Sequence, residues 1–310
     1  MDFEHLPVLF EEAIDALNIQ KDGIYIDGTV GGGGHSAGIC ERLSEIGTLV
    51  AVDRDVAALE AANNRLKGYT CSKKFIHANY SDVDAIAEAC GKKVQGIILD
   101  LGVSSFQLDN ADRGFSYMKD APMDMRMNED DPLTAYEVVN TYTESDLTKI
   151  IRDYGEEQWA SRISRFIVKA RKEKSISTTG ELVEVIKAAI PAKARRTGPH
   201  PAKRTFQAIR IEVNAELEHL TKAVRELPNL LDTGGRIAII TFHSLEDRIV
   251  KKGFDRRLNP CTCPKEFPIC VCGKVTDVRR VTKKPITPNN KELENNTRAR
   301  SAKLRVLEKI

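Results

Sequence analysis

Aromatic residues are scarce in this chain of 310 residues, at 6% with a single tryptophan, and no uncharged apolar run is long enough to span a bilayer. The start of the chain carries Asp2, Glu4, Glu11, Glu12 and Asp15 ahead of any apolar run, which is not the basic opening of a secretory signal. Cysteines number seven, an odd set with four of them late in the chain, which suits a reducing compartment better than a secreted disulfide framework. A cytoplasmic location, with no membrane association, is therefore expected. Internal repeats are absent from the sequence, and Gly102-Val103-Ser104-Ser105-Phe106 lacks the second glycine of a hydrolase nucleophile elbow. What remains, 41% hydrophobic and 30% charged, is an ordinary globular composition long enough for one large domain and a smaller one.

The formal charge of +2 hides a strong pattern. Residues 100–146 hold 3 basic against 11 acidic side chains, residues 152–210 hold 14 against 6, and residues 248–310 hold 17 against 6. Basic blocks of this size attract polyanions by releasing condensed counterions, so two of them in one chain point towards a nucleic acid. The acidic stretch 109–131 is expected to pack against its own arginines, Arg113 and Arg126.

Over the first hundred residues short apolar runs alternate with amphipathic stretches: 24–27, 36–46, 48–53, 56–66, a run at Phe75-Ile76, 82–90 and 94–100. Strand and helix at this spacing make a parallel sheet with crossover helices, covered on both faces because the strand cores are uniformly apolar. The next strand, 235–241, lies more than a hundred residues on, whereas a crossover needs about a dozen. Helix signals fill the gap. Asp131-Pro132 reads as an N-cap with proline at the first helical position, Thr143-x-x-Asp146 as a capping box closed by Gly155, and Thr178-x-x-Glu181 as a box opening a helix ended by Pro191. After Trp159, Ile163, Phe166, Ile167 and Ala170 recur at helical spacing. The reading is an α/β domain formed by residues 1–105 and 213–310, with a helical subdomain over 106–212 and a last strand near 302–308.

Asp27-Gly28-Thr29-Val30-Gly31-Gly32-Gly33-Gly34-His35-Ser36 joins the first strand to the first crossover helix. Glycines at this turn let the backbone pass close to a nucleotide-like ligand. Gly32-x-Gly34-x-x-Ala37 also fits a dinucleotide fingerprint, and Asp53, about twenty residues further on, could meet ribose hydroxyls in either cofactor class, so a nicotinamide dehydrogenase stays open at this point. Asp27 and Asp100 end the first and fourth strands, on the edge where ligands of such sheets bind.

Resemblance narrows the choice. His5-Leu6-Pro7-Val8-Leu9, the glycine stretch, Asp53-Arg54-Asp55, 99–109, Arg113-Gly114-Phe115-Ser116, 123–127, Tyr154-Gly155-Glu156-Glu157, 204–210, 242–248 and Arg298-Ala299-Arg300-Ser301 together resemble the bacterial RsmH (MraW) family of 16S rRNA cytosine-N4 methyltransferases. That resemblance implies a Rossmann-like S-adenosylmethionine-dependent methyltransferase sheet with an inserted helical domain for substrate recognition. It implies S-adenosylmethionine contacts at Gly33, Gly34, His35, Asp53, Tyr80, Asp100 and Gln107. Tyr80 is physically reasonable there, since its ring could pack on adenine; ordinary core is its other reading. The implied substrate is the exocyclic amine of a cytosine in the decoding region of 16S rRNA, within the small ribosomal subunit. A non-catalytic RNA-binding assembly factor on the same fold, or action on another RNA, is the competing reading.

An exocyclic amine is a poor nucleophile, so its hydrogens need acceptors and its nitrogen must be held in line with the methyl group. Asp100, beside the glycine turn, is the catalytic candidate, with service to the cofactor alone as its alternative. Asp100-Leu101-Gly102-Val103 lacks the aromatic of the Asp-Pro-Pro-Tyr motif, so a stacking ring would come from Phe106, Phe115 or Tyr117. Ser244-x-x-Asp247 reads as a further capping box, leaving His243 and Arg248 for RNA or site contacts. Lys193, Arg195, Arg196, Lys203 and Arg204 form a basic loop suited to phosphate. Cys261-x-Cys263 and Cys270-x-Cys272 are spaced more tightly than usual zinc pairs, so reduced thiols without metal are expected, a tetrahedral Zn²⁺ being the alternative.

Overall fold

The computed structural model describes residues 7–196, 198–264 and 267–310; His5 and Leu6 of the first motif and Thr197 of the basic loop lie outside them. Two compact units divide the chain, Met1–Gly102 with Leu217–Ile310, and Val103–Glu216. The first is built on seven strands: β1 (Ile24–Asp27), β2 (Thr48–Asp53), β3 (Ser72–His77), β4 (Val94–Asp100), β5 (Leu231–Thr241), β6 (Val278–Arg280) and β7 (Lys303–Lys309). Their order is β3-β2-β1-β4-β5-β7-β6, parallel through β5 and antiparallel at β7 and β6. The direction of winding reverses between β1 and β4, and in sheets of this kind ligands bind at that switch point, beyond the carboxyl ends of the strands.

Helix α1 (Phe10–Ala16) precedes β1, and α2 (Gly34–Arg42), α3 (Val56–Arg65) and α4 (Val83–Cys90) come between the early strands. Every residue of β1 and the centres of β2 and β4 are buried, as continuous apolar strands require, while the edge strand β3 is only half covered. Two apolar clusters flank the sheet, one holding Ile14, Leu49 and Ile98, the other Ile86, Ile97 and Leu99. Successive residues Ile97, Ile98 and Leu99 thus alternate between faces, as the pleat dictates. Each such side chain contributes about 1.5–3 kcal/mol by leaving water.

The second unit is helical, with α5 (Ser105–Asp109), α6 (Ala135–Thr141), α7 (Glu144–Asp153), α8 (Ala160–Glu173), α9 (Thr179–Ala189), α10 (Ala192–Arg195) and α11 (Lys203–Asn214). Its own core joins Val138, Ile151, Ile163, Ile167, Leu182 and Ile209. Thr143 and Thr178 cap α7 and α9. Asp131-Pro132 caps nothing: α6 starts three residues beyond the proline, behind Thr134, whose hydroxyl and the Glu137 carboxylate complete a reciprocal box. Asp131 instead gives its carbonyl to Arg126 at 2.9 Å. Helices α12 (Glu216–Glu226), α13 (Ser244–Leu258) and α14 (Asn290–Asn295) complete the chain, and among the described residues no helix is long and apolar enough to cross a membrane.

Candidate functional site

Three aspartates at strand ends of the first unit anchor the site. Asp27 closes β1 fully buried, receiving the Ser36 hydroxyl at 2.7 Å and the Thr29 amide at 3.2 Å. Burial, partly offset by these donors, pushes its carboxyl up to about 6. Asp53, at the end of β2, accepts the Gly31 amide at 2.9 Å on one oxygen and the Asp55 amide at 3.0 Å on the other. Its carboxyl is likewise raised by burial to about 6. A carboxylate offers about four acceptor sites, so the group can still take a hydroxyl donor.

Asp100 ends β4, hydrogen-bonded through its amide to the Thr29 hydroxyl at 2.6 Å. One carboxylate oxygen is buried with no hydrogen-bond partner, although a quarter of the side chain is exposed. Desolvation first, then the charges of Asp27 and Glu246, hold this carboxyl well above the usual range. His35 stands beside it, Nδ1 3.6 Å from Asp100 Oδ2 and Nε2 3.2 Å from the Val8 carbonyl oxygen. Burial lowers His35 to about 4, so its ring is neutral at pH 7 and brings no positive charge to Asp100. A crowded, desolvated carboxylate edge of this kind fits a ligand that brings positive charge and hydroxyl donors.

The glycine turn shapes the floor. Gly33 has φ +77°, in the left-handed region, and precedes α2. Gly34 opens that helix so close to Pro7 that a Cβ would stand 2.3 Å from the ring's Cγ. Tyr80, after β3, lies half-buried beside Gly28, whose added Cβ would meet the tyrosine Cβ at 3.2 Å. Gly33, Gly34, His35, Asp53, Tyr80 and Asp100 all belong to the first unit. Gln107 belongs to the second, buried, where it forms a reciprocal capping box with Ser104 at the start of α5.

Several expectations need correction. The helix after β5 is capped by His243, not Ser244: His243 Nδ1 accepts the Glu246 amide at 3.4 Å, and the Glu246 carboxylate takes the Phe242 and His243 amides at 2.7 and 3.2 Å. Asp247 is drawn off to Arg305 and Lys303 of β7, at 2.7 and 3.1 Å. Phe115 is core, 6% exposed, and Tyr117 stacks on His200 with ring centroids 4.7 Å apart, which leaves Phe106 as the exposed ring of the three. The acidic stretch does pair internally, Asp124 with Arg126 at 2.7 Å and Glu129 with Arg113 at 3.3 Å. Thr29, Ser36 and Glu246 were not singled out from sequence; a hydroxyl two residues after a strand-end aspartate was the available signal for the first.

A family model described as the MraW methylase family matches residues 2–310. The chain is 58% identical over 311 residues to a protein of Clostridium botulinum (strain Kyoto / Type A2) named ribosomal RNA small subunit methyltransferase H, with all of both chains covered. It is 56% identical, again over all of both chains, to the protein of that name in Clostridioides difficile (strain 630). Among solved structures it is similar to an rRNA methylase from Streptococcus thermophilus, with TM-score 0.43 and 12% identity over 96% of this chain and 95% of that one.

Proposed function

The chain belongs to the MraW methylase family, and from that premise we propose that it methylates the exocyclic N4 amine of a cytosine in the decoding region of 16S rRNA, at the strand ends of its first unit. It is an S-adenosylmethionine-dependent rRNA methyltransferase; the cofactor brings an electrophilic methyl group on a sulfonium. The observation that carries the site is Asp100: a desolvated carboxylate with one unpartnered oxygen, at the switch point of the sheet, next to a turn made of glycines.

In this reading Asp53 accepts ribose hydroxyls, the turn at Gly33 and Gly34 lets the cofactor approach backbone with His35 beside it, and Tyr80 lies against its adenine. Gln107 is assigned to the cofactor by family resemblance alone. Asp100 accepts a hydrogen of the amine, and its raised proton affinity suits it to take that proton as nitrogen acquires the methyl group. The exposed basic residues Lys193, Arg195, Arg196 and Lys203 of the second unit grip phosphate, which positions RNA without reading its bases. Arg204 also donates to the Glu156 carbonyl at 3.0 Å, a structural duty.

The test is transfer of labelled methyl to small ribosomal subunits lacking the modification, with nucleoside analysis, for wild type and Asp100→Asn. N4-methylcytidine from the wild type, with a rate on the order of 10²–10⁴ lower in the variant, is expected. Label on a different nucleoside, or none despite cofactor binding, removes the assignment of substrate. An unchanged rate in Asp100→Asn removes the role of that residue.

A further inference from the structure

The four late cysteines are the place where the structure goes beyond the methyltransferase site. Among the described residues from Asn259 to Asp277 none is buried, and none lies in a helix or strand. Phe267, Ile269, Val271 and Val275 are all more than half exposed. A connection of this length without structure of its own is uncommon, and apolar burial cannot hold this one. It nevertheless folds back on itself. Its base is pinned by Arg257, which holds Asp277 at 2.6 and 2.9 Å, and by the Thr276 hydroxyl on the Arg257 carbonyl at 3.1 Å.

At the far end the sulfurs of Cys261, Cys263, Cys270 and Cys272 all lie within 4.8 Å of one another. The Cys261–Cys270 and Cys270–Cys272 separations are 3.5 and 3.4 Å, and Cys263–Cys270 and Cys261–Cys272 are both 3.8 Å. A disulfide would draw two sulfurs to about 2.0 Å. A tetrahedral Zn²⁺ with zinc–sulfur bonds of about 2.3 Å sets them about 3.8 Å apart. A backbone amide also turns towards the sulfurs: that of Val271 donates to Cys263 Sγ at 3.3 Å. Amide donors around ligating sulfur stabilise thiolate, whereas weak S–H donors gain little by gathering in water.

We propose that Cys261, Cys263, Cys270 and Cys272 bind one structural zinc ion, which closes the loop between α13 and β6. The short Cys-x-Cys spacing that argued against metal from sequence is compatible with the site, because the two pairs approach from opposite arms of the loop. All four positions are filled by protein sulfur, so the ion has no open coordination site and takes no part in methyl transfer.

The full-length protein, purified under reducing conditions with zinc present and then desalted, is expected to carry about one zinc per chain by elemental analysis. The Cys261→Ser, Cys272→Ser double variant is expected to lose the metal while retaining the far-ultraviolet circular dichroism of the sheet unit. Cobalt in place of zinc is expected to show the intense visible bands of a tetrahedral tetrathiolate. Metal-free wild type with four reactive thiols overturns the proposal, as does a pair of disulfides in peptide mapping, or zinc retained at full stoichiometry in the double variant.

Discussion

Side-chain chemistry at the sheet edge makes the most direct predictions. Asp27 and Asp53 have folded-state values of about 6 against 3.8 for the ordinary group, so the folded protein binds protons more tightly than the unfolded chain. Their contribution to stability is therefore full below pH 4 and lost as pH rises through 6. Denaturation in urea is expected to show wild type losing stability relative to Asp53→Asn across that window; parallel pH profiles would refute the assignment. Binding runs the other way. A ligand that brings hydroxyl donors and positive charge favours ionised carboxylates and releases protons, so S-adenosylmethionine affinity is expected to weaken as pH falls below about 6. Calorimetry should find that dependence reduced in Asp53→Asn. At Gly34 the constraint is steric: alanine must displace Pro7, at a cost of about 1–3 kcal/mol in stability and with weakened cofactor binding.

Capping decides the element that follows β5. Two overlapping patterns, His243-x-x-Glu246 and Ser244-x-x-Asp247, have box spacing, and sequence favours the serine because hydroxyls are better caps. The structure chooses the histidine because Asp247 is claimed by Arg305 and Lys303, which tie α13 to β7. His243→Ala is expected to cost about 1 kcal/mol in urea denaturation. Asp247 is held below the usual carboxylate range by those cations, although burial opposes them, so its contribution is present near neutrality and lost as pH falls. At Asp131-Pro132 the Asp131 carboxylate takes the Asn128 side-chain amide at 3.0 Å, and the helix starts behind Thr134 and Glu137. Local spacing identifies candidates for a cap, and distant charges decide among them.

At the scale of the molecule, charge differs between the two units. The basic residues of 193–203 are exposed in the second unit, while the carboxylate edge belongs to the first. Replacing Lys193, Arg195 and Arg196 by alanine is expected to leave the cofactor dissociation constant unchanged, to weaken RNA binding across sequences, and to reduce its logarithmic salt slope by about 3. An unchanged slope would mean that these residues do not touch phosphate.

The parallel sheet, its glycine turn and the strand-end aspartates were legible in the sequence because each rests on local pattern: apolar runs, turn residues and residue spacing act within a few positions of one another. Helices α7, α8 and α9 were legible for the same reason. The proton affinities of Asp27, Asp53 and Asp100 were not, because desolvation depends on which strands pack side by side. Nor was the burial of Phe115, or the stack of Tyr117 on His200, since aromatic rings carry no sequence mark of the neighbour that covers them. The cysteines show the division most sharply. Their spacing is visible in the chain, but only a loop folded back on a pinned base brings four sulfurs to the separations of a tetrahedron.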